Sequence, residues 1–251
     1  SDENVYPPMS TFLEAQEISV HQGFSQEHLD SDRPDLVVVG NALSRGNPEV
    51  EFTLNEKIPY LSMPAAIRQF CIKDKYSCVV VGTHGKTSTS SLLAWILESA
   101  GRNPNFFIAG IPENFGRGFQ LNGGSEFVLE GDEYDSAFFD KGPKFLHYRP
   151  DLAIINNIEF DHADIYDDLD AIMTQFRRFV NIIPGNGHII ANGDDTRVLE
   201  LTESAFSNVH LFGLCNACAW QARNVTQDQA GVRFDLVHQG KKMAQLNSPL
   251  F

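Results

Sequence analysis

The run Val79-Val80-Val81-Gly82-Thr83-His84-Gly85-Lys86-Thr87-Ser88-Thr89-Ser90 constrains the fold more than any other part of the sequence. Three successive apolar residues predict a buried strand, because a strand covered on both faces needs no polar alternation. Glycines bracket the following turn, and a lysine with a row of hydroxyl residues opens a helix. That order aims backbone N–H groups and the positive end of the helix at an anion. Phosphate binding is therefore predicted for Gly82, Thr83, His84, Gly85, Lys86, Thr87 and Ser88. Lys86 would reach the terminal phosphates, and the Thr87 hydroxyl would ligate magnesium. The loop is a short form of the general phosphate-loop pattern, since Val80 stands five before Gly85 and the first glycine is Gly82. A plain glycine turn beside an exposed lysine shares the local pattern, so the reading rests on the strand–turn–helix context.

A length of 251 residues allows one large domain, or one with part of another. Acidic residues number 33 against 19 basic ones, and the formal charge of −14 argues against nucleic acid as a partner. Local Lys, Arg and Mg²⁺ must then dominate at any phosphate site. The longest apolar runs, such as Leu36–Val39 and Cys78–Val81, are too short to cross a membrane. Of the cysteines, Cys71, Cys78, Cys215 and Cys218, the last two form a Cys-x-x-Cys without a second pair at zinc spacing. Free, buried or half-buried thiols are expected, consistent with a reducing cytoplasm. No signal peptide is visible.

Residues 35–40 and 58–61 read as strands, and Asn47-Pro48 as an N-cap with proline at the first helical position, giving a helix over about 48–56. A second helix is expected from Pro64 to about Lys73. This alternation suits a parallel sheet but carries no glycine-rich turn, so residues 1–74 read as the later part of a Rossmann-like domain. Lys73-Asp74-Lys75 marks a boundary, and 75–251 reads as a phosphate-loop ATPase domain. Its first helix spans about 87–100, with Leu92, Leu93, Ile96, Leu97 and Ala100 at helical spacing and Gly101 as the stop. Strands follow near 105–109, 126–130, 152–156, 187–191 and 208–212, with helices near 168–182 and 195–204. Residues 218–247 alternate, with turns at Gly231 and Gly240, and predict antiparallel strands. The fold class is α/β with a mostly parallel sheet, antiparallel near the C-terminus, and ligands are expected at the strands' carboxyl ends.

Two further strand ends carry chemistry. The first delivers Glu130-Gly131-Asp132-Glu133-Tyr134-Asp135. In a chain with a phosphate loop, a carboxylate there suits a magnesium ligand, and Glu130 sits at the strand end itself. The others read first as a solvated loop. The second delivers Asn157-Ile158-Glu159-Phe160-Asp161-His162, where His162 among carboxylates is either structural or a metal-binding or catalytic residue. Asn192-Gly193-Asp194-Asp195 reads as a helix start capped by Asp194 or Asp195.

These motifs, in this order, resemble the Mur ligases of peptidoglycan synthesis. The Gly82–Thr89 loop resembles that family's short ATP loop, Glu130–Asp135 its acidic magnesium motif, and Asn157–His162 the motif whose histidine binds a second Mg²⁺. Asn192–Asp195 resembles its Asn-x-Asp-Asp segment. The His84 form of the loop resembles two branches, one adding L-alanine to UDP-N-acetylmuramate and one adding the tripeptide L-alanyl-γ-D-glutamyl-meso-diaminopimelate during recycling. Asn4–Thr11, Gly40-Asn41-Ala42, Ala137–Lys141 and Glu159–Asp168 look closest to the recycling branch.

The resemblance implies ATP-dependent amide ligation through an acyl phosphate. Lys86 and His162 would be catalytic; Thr87, Glu130 and His162 would be metal ligands; Asp2, Asn41, His84 and Asn157 would meet substrate. UDP-N-acetylmuramate and an amine are the implied partners, with ATP and Mg²⁺, and no nucleic acid or membrane. Two features depart from the family pattern. No lysine occurs between Lys144 and Lys241, where several Mur ligases carry a carbamoylated lysine; Arg177 stands near that spacing. The family's opening glycine-rich turn, its adenine-contacting segment and its C-terminal domain are also not seen, so these residues alone are not expected to ligate. A phosphate-loop kinase or ATPase outside the family, and a nucleotide-binding module without turnover, are the rival readings.

Overall fold

The computed structural model describes residues 1–160, 166 and 168–249. They fall into two compact units: Ser1–Ala66 with Asp135–Lys141, and the remainder from Ile67 to Tyr134 and from Gly142 onward.

The first unit contains α1 (Met9–Ala15), α2 (Glu27–Asp30), β1 (Val37–Val39), α3 (Pro48–Asn55), β2 (Tyr60–Ser62) and most of α4 (Met63–Ile67). β1 and β2 pair in parallel, Val38 opposite Leu61. α3 starts where the sequence predicts. Asn47 is extended, and its Oδ1 accepts from the Glu49 and Val50 amides at 3.0 and 3.2 Å. Pro48 loses no useful donor at the first helical position. Ile58 N donates to Thr53 O and closes the helix, so β2 forms later than the expected 58–61. The helix expected from Pro64 to Lys73 is α-helical only to Ile67, then widens into a π-helical turn, Arg68–Ile72, ended by Lys73 at φ 39°.

The second unit is built on β3 (Tyr76–Val81), α5 (Lys86–Ser99), β4 (Asn105–Phe107), β5 (Phe119–Gln120) and β6 (Glu126–Glu130). A hairpin, β7 (Asp135–Ala137) and β8 (Asp140–Pro143), interrupts it. No strand is predicted there from sequence; residues 135–141 of it belong to the first unit. There Ser62 Oγ donates to Asp140 Oδ2 at 2.8 Å, and Phe139 meets Tyr60 edge-on at 4.8 Å. β9 (Leu152–Ile155), α6 (Leu169–Asn181), β10 (His188–Asn192), α7 (Thr196–Thr202), β11 (Asn208–Gly213), β12 (Trp220–Asp228), β13 (Gly231–His238) and β14 (Lys241–Ser248) follow.

These strands, β7 and β8 apart, form a 10-stranded sheet in the order β14-β13-β12-β11-β10-β9-β3-β6-β4-β5. Pairing is parallel from β12 to β4; β13, β14 and β5 join antiparallel. Side chains of Val79, Val81, Phe127, Leu129, Ala153 and Ile155 pack with α6 and α7, through Ile172, Met173, Phe176, Phe179, Val198 and Leu201. Cys78, Phe106 and Val128 pack with Ala94 of α5 in a second cluster. Both faces of β3 are therefore covered, which is why its sequence reads as an unbroken apolar run. β3 lies between β6 and β9, so the chain moves away on one side and returns on the other. Such a switch point opens a crevice at the carboxyl ends. Register levels those ends: Val80 stands opposite Glu130 and Val81 opposite Ile155.

Candidate functional site

Three loops leave these level ends: residues 82–85 after β3, 131–134 after β6 and 156–160 after β9. The first is clamped by the third. Thr83 N donates to Asn157 O at 2.9 Å, and His84 N to Asn157 Oδ1 at 2.7 Å. Glu159 N donates to Thr83 Oγ1 at 2.8 Å, while Asn156 Nδ2 reaches His84 O and Thr89 Oγ1 at 3.2 and 3.1 Å. The close approach requires glycine at position 82. Its φ is 138°, and a Cβ there would stand 3.0 Å from Asn157 O and 3.1 Å from Asn157 N. Gly85, at φ 77°, precedes α5 with no side-chain cap, so the first amides of the helix face outward from the loop.

Lys86 and Thr87 open α5, one residue earlier than the sequence predicts. Thr87 Oγ1 donates to Glu130 Oε1 at 2.7 Å, and Glu130 Oε2 accepts from Ala109 N at 2.9 Å. Glu130 is buried, with 8% of its surface exposed. Lys86 Nζ donates to Gly82 O, Thr83 O and Glu133 Oε1 at 2.8, 3.1 and 2.9 Å. Glu133 is also buried, so this is a shielded ion pair rather than a solvated one. Tyr166 Oη donates to Glu133 O at 2.7 Å. Asp132 pairs with Lys144 at 2.6 Å. The acidic run read as a solvated loop beyond Glu130 thus contains a buried partner for the loop lysine. Neither Glu133 nor Asn156 stands out in the sequence. Their partners lie 47 and 72 residues away, and only the strand order brings them together.

The other expected positions are distributed. Ser88 lies in the first turn of α5, and His84 Nε2 is 3.7 Å from Glu159 Oε2, both exposed. Asp2 and Asn41 lie in the first unit, lining a cavity of about 1040 Å³ with Gly40, Arg45 and His28. Asp2 Oδ1 there accepts from Asn4 N at 3.0 Å. His162 falls outside the described residues.

The 192–195 segment divides its work. Asp195 caps α7 through Arg197 N and Val198 N, and its Oδ2 accepts from Ile158 N at 3.0 Å. Asp194 instead accepts from Leu214 N and Cys215 N at 2.6 and 2.8 Å. The expectation of free thiols fails at the next turn. Cys215 and Cys218 are joined as a disulfide; the turn between them, closed by Cys218 N on Cys215 O, brings their Cα atoms to 5.4 Å. Cys71 and Cys78 are free, and burial pushes the Cys78 thiol up to about 12.

The residues fit a magnesium–nucleotide ligand on their own chemistry. Thr87 and Glu130 offer hard oxygen donors side by side, as Mg²⁺ prefers. Lys86 and the first amides of α5 supply the complementary positive field.

The profile of the Mur ligase middle domain matches residues 80–251, and that of the Mur ligase family catalytic domain matches residues 1–75. The chain is 45% identical, over 98% of its length, to UDP-N-acetylmuramate--L-alanyl-gamma-D-glutamyl-meso-2,6-diaminoheptandioate ligase of Escherichia coli K12, covering 53% of that protein. A UDP-N-acetylmuramate--L-alanine ligase of Clostridium perfringens is 30% identical over 94% of the chain and 50% of its own length. The crystal structure of UDP-N-acetylmuramate:L-alanyl-gamma-D-glutamyl-meso-diaminopimelate ligase from Neisseria meningitides superposes with a TM-score of 0.92 at 42% identity. It matches 100% of this chain and 79% of its own. The chain thus spans about half the length of the curated relatives it matches. With both profiles together covering nearly every residue, the chain belongs to the Mur ligase family.

Proposed function

We propose that the complete protein is an ATP-dependent ligase joining UDP-N-acetylmuramate to the tripeptide L-alanyl-γ-D-glutamyl-meso-diaminopimelate in the cytoplasm. The muramyl carboxylate takes the γ-phosphoryl group of ATP, and the peptide amine then displaces phosphate from the acyl phosphate. The observation that carries the chemistry is the Thr87–Glu130 contact of 2.7 Å beside Lys86 at one sheet edge. Support for the acceptor comes from the relatives: those named for the tripeptide are 45% and 42% identical, against 28% to 34% for those named for L-alanine.

In this reading Thr87 and Glu130 hold Mg²⁺, which when bound offsets charge between ATP and the carboxylate. The loop of residues 82–88 cradles the phosphates, with the Thr83 and His84 amides held by Asn157 and the amides that open α5 facing the anion. Lys86 has three N–H donors, and Gly82 O, Thr83 O and Glu133 Oε1 take all three. Reaching a phosphate oxygen therefore means exchanging one acceptor, while Glu133 keeps the ammonium aimed. His84 and Asn157 set the loop facing the carboxylate, and Asp2 and Asn41 serve the UDP-sugar. His162 is the proposed ligand of a second Mg²⁺. Among the described residues no helix is long and apolar enough to cross a membrane.

The test is amine-dependent phosphate release by the complete protein, with kcat/KM compared for tripeptide and L-alanine. A clear tripeptide preference is expected. Preference for L-alanine moves the protein to the other branch, and release indifferent to any amine removes the ligase reading.

A further inference from the structure

The Cys215–Cys218 bridge has no part in the reaction above, yet it is wired into the site. Cys218 is buried at 4% exposure, whereas Cys215 is half-exposed, so an attacking thiolate reaches Cys215 first. Gly193 backs the bridge: a Cβ there would stand 2.5 Å from Cys218 Sγ and 3.1 Å from Cys215 Sγ. Reduced sulfurs in contact must stand at roughly twice the ~2 Å bonded separation. The Gly193 backbone blocks one direction, so on reduction Cys215 Sγ is free to part from Cys218 only on the side away from Gly193, releasing the turn that residues 214–216 share.

Those residues are tied inward. Leu214 N and Cys215 N both donate to the Asp194 carboxylate. The adjoining Asp195 accepts from Ile158 N, and Arg197 Nη1 donates to Ile158 O at 2.9 Å. The neighbouring Asn157 holds Thr83 N and His84 N of the phosphate loop. Hydrogen bonds joined by two stretches of adjacent backbone, Asp194–Asp195 and Asn157–Ile158, thus link the Cys215 amide to residues 83 and 84.

We propose that Cys215 and Cys218 form a reversible thiol–disulfide exchange site whose oxidation state is felt at the phosphate loop. The reductant is a small or protein dithiol. Its thiolate attacks Cys215 Sγ and expels Cys218 as a thiolate, which takes a proton from water. The second thiol of the reductant, deprotonated, then attacks its own sulfur in the mixed disulfide and releases Cys215, which is protonated in turn. Two electrons pass to the protein, and the reductant leaves as a disulfide. Oxidation reverses the sequence with a small-molecule disulfide. The consequence for nucleotide affinity rests on the reading of the loop as an ATP site; the coupling itself does not.

Hydrogen exchange therefore reads the coupling without nucleotide. On the complete protein, dithiothreitol is expected to speed exchange of the Thr83, His84 and Ile158 amides by about threefold or more, and oxidised glutathione to restore it, a coupling in the range known for such networks. The Cys215→Ser/Cys218→Ser variant is expected to exchange at the reduced rate in both reagents. A parallel titration with Mg-ATP should show weaker binding by the reduced form; no binding by either form speaks against the ATP site and not against the coupling. Unchanged exchange on reduction of the wild-type protein overturns the proposal. So does failure of the bridge to re-form in oxidised glutathione. Uptake of one zinc ion that oxidised glutathione cannot displace also overturns it, because Asp194, Cys215 and Cys218, whose donor atoms lie within 4.8 Å of one another, would then be metal ligands.

Discussion

Lys86 does two jobs that a single substitution cannot separate. It is the proposed phosphate ligand, and it is the cation beside a buried carboxylate. Lys86→Ala is expected to lower ligation by ~10²-fold or more through the lost contact to the transferring phosphoryl group. It should also lower stability by about 3 kcal/mol, because the Glu133 carboxylate remains buried without that cation. Adding Glu133→Gln should recover most of the stability and none of the turnover. Urea denaturation beside steady-state kinetics checks both halves, and full recovery of activity in the double variant would remove Lys86 from the chemistry. Gly82 gives a second residue-scale test. At φ 138°, with Asn157 backbone atoms 3.0 and 3.1 Å from a would-be Cβ, Gly82→Ala forces the loop off its clamp. The expected cost is ~1–3 kcal/mol, with Mg-ATP binding lost more steeply than the fold; unaltered nucleotide affinity would contradict the clamp.

Elements here are joined by a few charged side chains, and two of them yield tests. Asp195 both caps α7 and satisfies the amide of the fully buried Ile158. Asp195→Ala should therefore cost about 2 kcal/mol, a cap plus part of an orphaned amide, by chemical denaturation. A loss as small as a solvent-exposed cap alone would mean Ile158 N finds another acceptor. Just beyond α5, Arg102 pairs with Glu126 at the start of β6. The hydrogen bond from Arg102 holds the Glu126 carboxyl below its ordinary range, against the opposing effect of desolvation. A depressed carboxyl stabilises above its unfolded pKa and loses that contribution as pH falls, because the unfolded chain then binds more protons. Stability should fall on acidification below roughly pH 5, and less steeply in Arg102→Met. Equal slopes in urea titrations from pH 6 to 3 would remove Glu126 as a contributor.

At the scale of the molecule, what sequence could and could not reveal follows sequence distance. The Asn47 cap, the opening of α5 and the strand ending in Glu130 are local patterns and are legible. The Glu133 partner of Lys86 and the Asn156 clamp are decided by which strands adjoin β3, and the hairpin at residues 135–143 by its contacts with Tyr60 and Ser62, none of which a local pattern encodes. The Cys-x-x-Cys spacing was visible, but pairing depended on the turn that closes it. All described residues of the proposed nucleotide site, from Gly82 to Ser88 with Ala109, Glu130, Glu133, Asn156 and Asn157, belong to the second unit. A ligand that binds only the folded form stabilises what it binds, by about 2.7 kcal/mol at a hundredfold excess over Kd. Mg-ATP should therefore slow global exchange of the buried β3, β6 and β9 amides. Their hydrogen bonds break only when the sheet opens. Magnesium-free ATP should give much less protection, since Thr87 and Glu130 contribute through the metal. Thr87→Val keeps the shape of the side chain and removes the oxygen, so it should erase the difference between the two. If Mg-ATP protects this sheet equally in Thr87→Val and wild-type protein, the metal is held elsewhere, and the Thr87–Glu130 contact is a structural hydrogen bond.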